Sequence, residues 1–433
     1  VNVIARAAHR VLVASHSHPA MSNGGAEIAA WRLYDGVAAR PDWRAWFVGC
    51  ARDDATRLGS PITQPFDARE FLYAQPGFDW FKFANPDPAF PAALRDMLAD
   101  VRPDIVHFHH YVHFGMEAFL HVRRLLPDSR IVVTLHEFLA ICHHYGQMVT
   151  REKKALCYEA SPRACNRCFP AHSRADFFLR NLFIQRFFAL VDHFVAPSQF
   201  LADRYVQWGI PAERMSVIEN VTQRSQPVDK VTAAREAGSL RVGFFGQISF
   251  LKGIHVLLDA ARILEDDGAQ GIHFDIHGDH TNQPPEFQAD FLDRMSRAGK
   301  NVRFHGAYDN ARVDTLMQEV DVALVPSIWW ENSPVVIQEC MRNRLPIICS
   351  NIGGMAEKVR PGIDGLHFPV GSASGLCELL RALAADPSTL ADLSRRMRRP
   401  ETPETTVDQH LTLYQQLMGT GAVRQGMPAA PSD

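Results

Sequence analysis

The stretch Val322-Ala323-Leu324-Val325-Pro326-Ser327-Ile328-Trp329-Trp330-Glu331-Asn332-Ser333-Pro334-Val335-Val336-Ile337-Gln338-Glu339 sets the reading of the chain. Four apolar residues make a short buried strand, and a polar turn follows. Ser333 and Pro334 then open a helix, since serine is a favoured N-cap and proline a favoured first helical residue. Glu331 falls just before that helix and Glu339 inside it. Eight helical residues advance about 12 Å and return to within roughly 80° of the starting direction. Two carboxylates so spaced can hold the ends of an extended ligand, with the free N–H groups of Ser333, Pro334's neighbours Val335 and Val336 facing an anion between them. Taken alone, such a pair is more often a solvated acidic pair beside an ordinary helix start.

Outward from this stretch, short apolar runs recur at Val242–Phe245, His273–His277, Val302–His305, Ile347–Cys349 and Leu366–Pro369, each separated from the next by a helix-length segment. The first half has the same rhythm: Val11–Ala14, Ala45–Val48, Ile105–Phe108, Ile131–Leu135 and His193–Ala196 alternate with helical patterns at 26–39, Pro91–Val101, Gly115–Leu126 and Ala175–Val191. Continuous apolar runs alternating with helices predict parallel sheets covered on both faces. Two doubly wound α/β domains are expected, over 1–222 and 241–404. Between them, 223–240 is poor in large apolar residues and reads as a linker. Residues 405–418 are expected to form a last helix, and 419–433, rich in Gly, Pro and Ala, a disordered tail.

The 433 residues are 46% hydrophobic, enough for two or three cores. Lys and Arg total 45 against 48 Asp and Glu, a net charge of −3 with no basic block, which argues against nucleic acid as a partner. No apolar run approaches the roughly 18 residues a bilayer span needs, and 1–18 has no sustained apolar segment of the secretory kind. A cytoplasmic protein is expected. There is no P-loop and no G-x-G-x-x-G, which lowers the case for a P-loop NTPase or a dinucleotide-dependent dehydrogenase.

Several short motifs now fall into one order: Gly24-Gly25-Ala26-Glu27, Thr134-Leu135-His136-Glu137, Ala196-Pro197-Ser198, Val217-Ile218-Glu219-Asn220-Val221, Gly246 through Lys252-Gly253, His277-Gly278-Asp279, Glu331 with Glu339, and Gly353-Gly354-Met355-Ala356-Glu357. Each is weak alone. Their ordered sum, from Val11 to Val370, resembles the retaining, nucleotide-sugar-dependent glycosyltransferases of family 4, which have the GT-B fold of two facing Rossmann-like domains.

The resemblance implies a reaction and roles. The donor is a nucleoside diphosphate sugar, UDP- or GDP-linked, bound mainly by the second domain. The acceptor is a saccharide or a lipid-linked hydroxyl on the first, and the product belongs to polysaccharide or glycolipid assembly. Lys252 would supply positive potential to the departing diphosphate. Glu339 corresponds to the carboxylate that accepts both ribose hydroxyls, and Glu331 to the one beside the donor sugar. Although retention invites a carboxylate nucleophile, this family is thought to react on one face of the sugar without one. Gly24 and Gly25 would let backbone N–H groups approach the diphosphate. His136 matches the histidine facing donor sugar and acceptor. The chain departs from the family at Gln247, where a basic residue is common, so half the expected charge is missing; Arg10 or His16 could compensate. No Asp-x-Asp metal clamp is present, so catalysis is expected to need no metal cofactor. Two other readings share the fold: a nucleotide-sugar 2-epimerase, and a non-catalytic nucleotide-sugar-binding relative.

Cys142, Cys157, Cys165 and Cys168 are spaced C-x14-C-x7-C-x2-C, sufficient for a structural Zn2+, though reduced thiols or a regulatory disulfide fit as well. His107, His109, His110 and His113 crowd one strand end, where metal, a sugar cleft or plain packing would use them, and His109 is expected to face the cleft. The helix at 174–191 combines a wide apolar arc with polar residues at 174, 180, 181, 185 and 186. Relatives often dock on membranes, so this helix could make a peripheral contact at the inner face, or pack on its own sheet.

Overall fold

A computed structural model describes residues 8–22, 24–52, 59–223, 239–269 and 271–419. Most of the expected linker and nearly all of the expected tail lie outside these residues. The first sheet contains β1 (His9–Ala14), β2 (Trp43–Arg52), β3 (Ile62–Thr63), β4 (Glu70–Gln75), β5 (Ile105–Phe108), β6 (Arg130–Thr134), β7 (His193–Ala196) and β8 (Met215–Val217). The second contains β9 (Leu240–Phe245), β10 (Ile272–His277), β11 (Val302–Gly306), β12 (Val322–Val325), β13 (Ile347–Ser350) and β14 (Gly365–Phe368). Sheet order is β3-β4-β2-β1-β5-β6-β7-β8 in one and β11-β10-β9-β12-β13-β14 in the other. All pairings within the two sheets are parallel except β3 with β4.

The second order is the doubly wound 3-2-1-4-5-6 pattern, in which ligands settle beyond the strand C-termini where the order reverses. Here that point lies between β9 and β12, which pair at Val242 and Val322. In the first sheet the reversal falls between β1 and β5. The loops after these four strands therefore converge on one crevice.

Strands β5, β12 and β13 are buried along their whole length, which is why they read as short apolar runs, broken only at His107 in β5 and Ser350 at the end of β13. The helix Pro403–Gly419 packs back on the first sheet: Val407, Leu411 and Tyr414 share a core with Val11, Ala45 and Val132. Tyr414 is fully buried, and its hydroxyl lies 2.5 Å from Nδ1 of His107, whose Nε2 meets Thr134 Oγ1 at 2.7 Å. Among the described residues no helix is long and apolar enough to cross a membrane.

One expected face is reversed. Arg180, counted with the polar stripe of the helix Arg174–Phe188, points inward and donates to the carbonyls of Phe81, Leu139 and Ala140 at 2.8–2.9 Å. These carbonyls lie in loops with no ladder partner, and a fully hydrogen-bonded guanidinium tolerates burial where a bare one would not. The outward face instead carries Phe178, Leu179 and Leu182, about half exposed.

Candidate active site

Between the domains lies a crevice of about 1180 Å3. Gly24, Gly25 and Arg32 line it from the first domain, and Gln247, Lys252, Pro334, Val335, Val336 and Glu339 from the second.

Two loops of the second domain form its floor, and glycine lets them touch. Gly253 has φ +74°, and a Cβ there would stand 1.9 Å from the carbonyl oxygen of Pro326. Only glycine permits that approach, which sets Lys252 beside the turn after β12. From the other side, a Cβ on Gly354 would stand 1.8 Å from Asn332 O, and Gly354 N donates to Glu331 O at 2.7 Å. The Gly353-Gly354 motif thus backs the turn that carries Glu331.

Glu331 is buried, and its Oε1 accepts from Lys252 Nζ at 2.6 Å, Ser327 Oγ at 2.8 Å and Trp329 Nε1 at 2.9 Å. It does not line the crevice itself; it aims the lysine that does. The helix begins at Val335, with Pro334 as N-cap, so Glu331 lies in an irregular turn and the helical spacing expected between Glu331 and Glu339 does not apply. Ser333 does not cap it. Its hydroxyl donates instead to Glu219 Oε1 of the first domain at 2.7 Å, and no side chain caps this helix. The unpartnered N–H groups of the first turn remain available at the crevice.

Glu339 is buried at the crevice wall, and burial holds its pKa above the usual carboxylate value, partly offset by Arg342 and Arg32. Arg342 is committed to Asp314 at 2.6 and 3.1 Å. Among the described residues Arg32 has one long contact, Nη1 to Val221 O at 3.5 Å, and burial lowers its pKa while Glu339 raises it. Arg32 was missed in the sequence. The signal existed: Gly25, Ile28, Ala29 and Arg32 follow the i, i+3, i+4, i+7 spacing of one helix face, and all four line the crevice. The suggested stand-ins for the charge absent at Gln247 are engaged elsewhere. Arg10 lies over the Trp46 ring at 5.2 Å, and His16 Nε2 pairs with Glu27 Oε1 at 3.2 Å. That pairing outweighs burial and holds the Glu27 pKa down at about 2.

His136 sits at the end of β6, outside the crevice lining but tied to its turn, for its carbonyl accepts from Asn332 Nδ2 at 2.8 Å. Its Nε2 meets His109 Nδ1 at 3.2 Å, and burial lowers its pKa to about 4 against the opposing charge of Glu137. His109 is buried against His136 instead of facing the crevice, His107 is a packing residue under Tyr414, and His110 pairs with Glu137 at 3.1 Å.

Further contacts cross between the domains. Glu219 also takes an ion pair from Lys358, whose Nζ donates to Pro197 O at 2.6 Å. Glu357 accepts from the backbone N–H groups of Gln199 and Phe200 at 3.0 and 2.7 Å, an anion at the start of the helix Gln199–Trp208. The motifs around Ser198, Glu219 and Glu357 lie far apart in the sequence and meet only in the fold. Cys142, Cys157, Cys165 and Cys168 are half-buried, in no disulfide, and Cys165 is within electrostatic reach of the other three.

Comparison with known proteins agrees with this geometry. The family model described as Glycosyltransferase Family 4 matches residues 23–223, and that of Glycosyl transferases group 1 matches 228–399. A lipopolysaccharide 1,2-N-acetylglucosaminetransferase of Salmonella typhimurium is 29% identical over 203 residues, 44% of this chain and 52% of that protein. The amylovoran biosynthesis glycosyltransferase AmsK of Erwinia amylovora is 26% identical over 241 residues, 54% and 56% of the two. The chain thus spans about half the length of these curated relatives. Among solved structures, sucrose-phosphate synthase from Thermosynechococcus elongatus superposes with a TM-score of 0.71 at 18% identity, covering 95% of this chain and 100% of that one. Anabaena HepE in complex with UDP and glucose gives 0.60 at 18% identity, covering 95% and 99%. At such identities the superpositions speak for the fold. The two family models, side by side along one chain, together with two facing parallel-sheet domains, place this protein among the family 4, group 1 glycosyltransferases of the GT-B fold.

Proposed function

We propose that the protein transfers a glycosyl group from a nucleoside diphosphate sugar to a hydroxyl acceptor with retention, in polysaccharide or glycolipid assembly. The observation that carries this reading is the convergence of Lys252, the first turn of the helix Val335–Arg342 and the buried Glu339 on one inter-domain crevice. Lys252 uses one donor on Glu331 and keeps two for the diphosphate. With the helix N–H groups it stabilises charge that grows as the leaving group departs, which is where fixed positive potential lowers a barrier most. Glu339, buried at the crevice wall, accepts the ribose hydroxyls in this scheme.

In the transfer step the bond from the anomeric carbon to the diphosphate breaks, a bond from the acceptor oxygen forms on the same face, and the acceptor proton passes to the departing phosphate. Glu331 is no nucleophile in this scheme: it stands behind the crevice lining, with its Oε1 committed to Lys252, Ser327 and Trp329. His136 keeps the role that the family resemblance gives it, toward donor sugar and acceptor, from a ring packed on His109 behind the crevice lining. The UDP and glucose held by Anabaena HepE, and the lipopolysaccharide and amylovoran syntheses that the relatives serve, support the donor and product classes. A peripheral membrane contact is supported by Phe178, Leu179 and Leu182 on the outer face of the helix Arg174–Phe188, flanked by exposed Arg174 and Arg186.

The test is incubation with UDP- and GDP-sugars and a panel of hydroxyl acceptors, following nucleoside diphosphate release and the product's anomeric configuration by NMR. Acceptor-dependent release with the donor's configuration kept is expected. Inverted product rejects retention, and epimerised donor without acceptor rejects transfer.

A further inference from the structure

From Thr150 to Ser173 no residue is buried, and the helix Pro162–Cys168 within this stretch buries no side chain. Yet the stretch reaches the second domain: Lys154 Nζ lies 4.2 Å from the centre of the Phe250 ring, and Tyr158 meets Trp330 edge-on at 5.2 Å. A connection this long without a core of its own needs another fastening.

Its half-buried cysteines converge. Antiparallel pairing of Val149 with Leu156, and the bond from Cys157 N to Met148 O at 2.8 Å, fold Cys157 back beside the turn that Cys142 opens. Cys165 and Cys168, three apart on one short helix, share a face. Phe169, next after Cys168, packs its ring on those of His143 and His144, the neighbours of Cys142, at 4.6 and 6.0 Å, and so brings this helix to the same turn, with the Cys165 thiol in electrostatic reach of the other three. The adjacent histidines are otherwise engaged, His144 Nδ1 on Val149 O at 2.8 Å and His143 against the rings of Phe81 and Phe169.

We propose that Cys142, Cys157, Cys165 and Cys168 are the four ligands of a structural Zn2+ that fastens residues 150–173 against the second domain. Four thiolates around Zn2+ leave a net charge of −2, and two arginines stand ready to balance it: Arg180 within electrostatic reach of Cys142 and Cys165, and Arg204 of Cys157. As they stand, no three His, Cys, Asp or Glu side chains among the described residues are set to hold a metal ion, so the sulfurs must turn inward to reach the bond length of about 2.3 Å. Turning inward takes the Cys157 thiol off the carbonyl oxygen of Glu159, 3.3 Å away. The site would hold Tyr158 and Lys154 against Trp330 and Phe250, on the loops that carry Glu331 and Lys252.

The experiment is elemental analysis of the full chain, produced in zinc-supplemented medium and desalted. About one Zn2+ per chain is expected, released by a mercurial in step with four thiols. Cys168→His should retain the metal, Cys165→Ser should lose it, and replacing Zn2+ by Co2+ should give the visible and near-ultraviolet bands of tetrahedral thiolate coordination. Folded wild-type protein that takes up no zinc, whether its four thiols titrate as free or intact mass shows them joined in disulfides, overturns the proposal. If Cys165→Ser fails to fold, the wild-type stoichiometry and Cys168→His still decide.

Discussion

Lys252 Nζ stands 2.6 Å from Glu331 Oε1, and that single contact explains why a carboxylate belongs beside an anion site. The carboxylate fixes the direction of the ammonium without consuming its remaining donors. Removing the cation should therefore remove stabilisation that matters most in the transition state. Lys252→Ala is expected to lower turnover by about 10²–10³-fold, the range for loss of one preorganised donor, with the circular dichroism spectrum unchanged. Steady-state nucleoside diphosphate release checks it.

Arg32 supplies from the first domain a charge that Gln247, beside Lys252 on the second, does not. Arg32→Ala is expected to weaken nucleoside diphosphate binding about tenfold, near 1.4 kcal/mol, and the difference from wild type should shrink as salt screens it. Calorimetric titration at two ionic strengths measures both. Identical affinities would remove Arg32 from the site.

Tyr414 closes the C-terminal helix onto the first sheet through His107. Tyr414→Phe keeps the ring and strips the hydroxyl, leaving a buried imidazole nitrogen without its partner. Destabilisation of about 1–3 kcal/mol is expected, read as a lower denaturant midpoint.

Acid should loosen the same helix. Burial holds His410 at about 4, below its ordinary 6.5, so the unfolded chain takes up a proton that the folded chain refuses. Its contribution is fully present above pH 6.5 and is lost as pH falls toward 4. Over that window it amounts to about 3 kcal/mol. The melting temperature of wild type should fall steeply across it, and that of His410→Gln less so.

What could be read from the sequence follows from how local each feature is. Strands such as Val322–Val325 announce themselves because burial on both faces demands unbroken apolar residues. The strands Ile62–Thr63, Glu70–Gln75 and Met215–Val217 do not: two are very short, and the third mixes Glu70 and Gln75 into its run. Ser333 carried a sound local signal for an N-cap, and Glu219, 114 residues earlier in the chain, took its hydroxyl instead. Arg180 looked solvent-facing until three loop carbonyls claimed it. Both cases turn on partners brought near only by the finished fold.

The most direct measurement is the thermal shift given by UDP, GDP, ADP and TDP on wild type, Lys252→Ala and Glu339→Ala. At 100 times its Kd the preferred nucleotide should stabilise wild type by about 2.7 kcal/mol, and both variants should lose that shift while keeping their own unliganded melting transition. Undiminished stabilisation of both variants would contradict a donor site in this crevice.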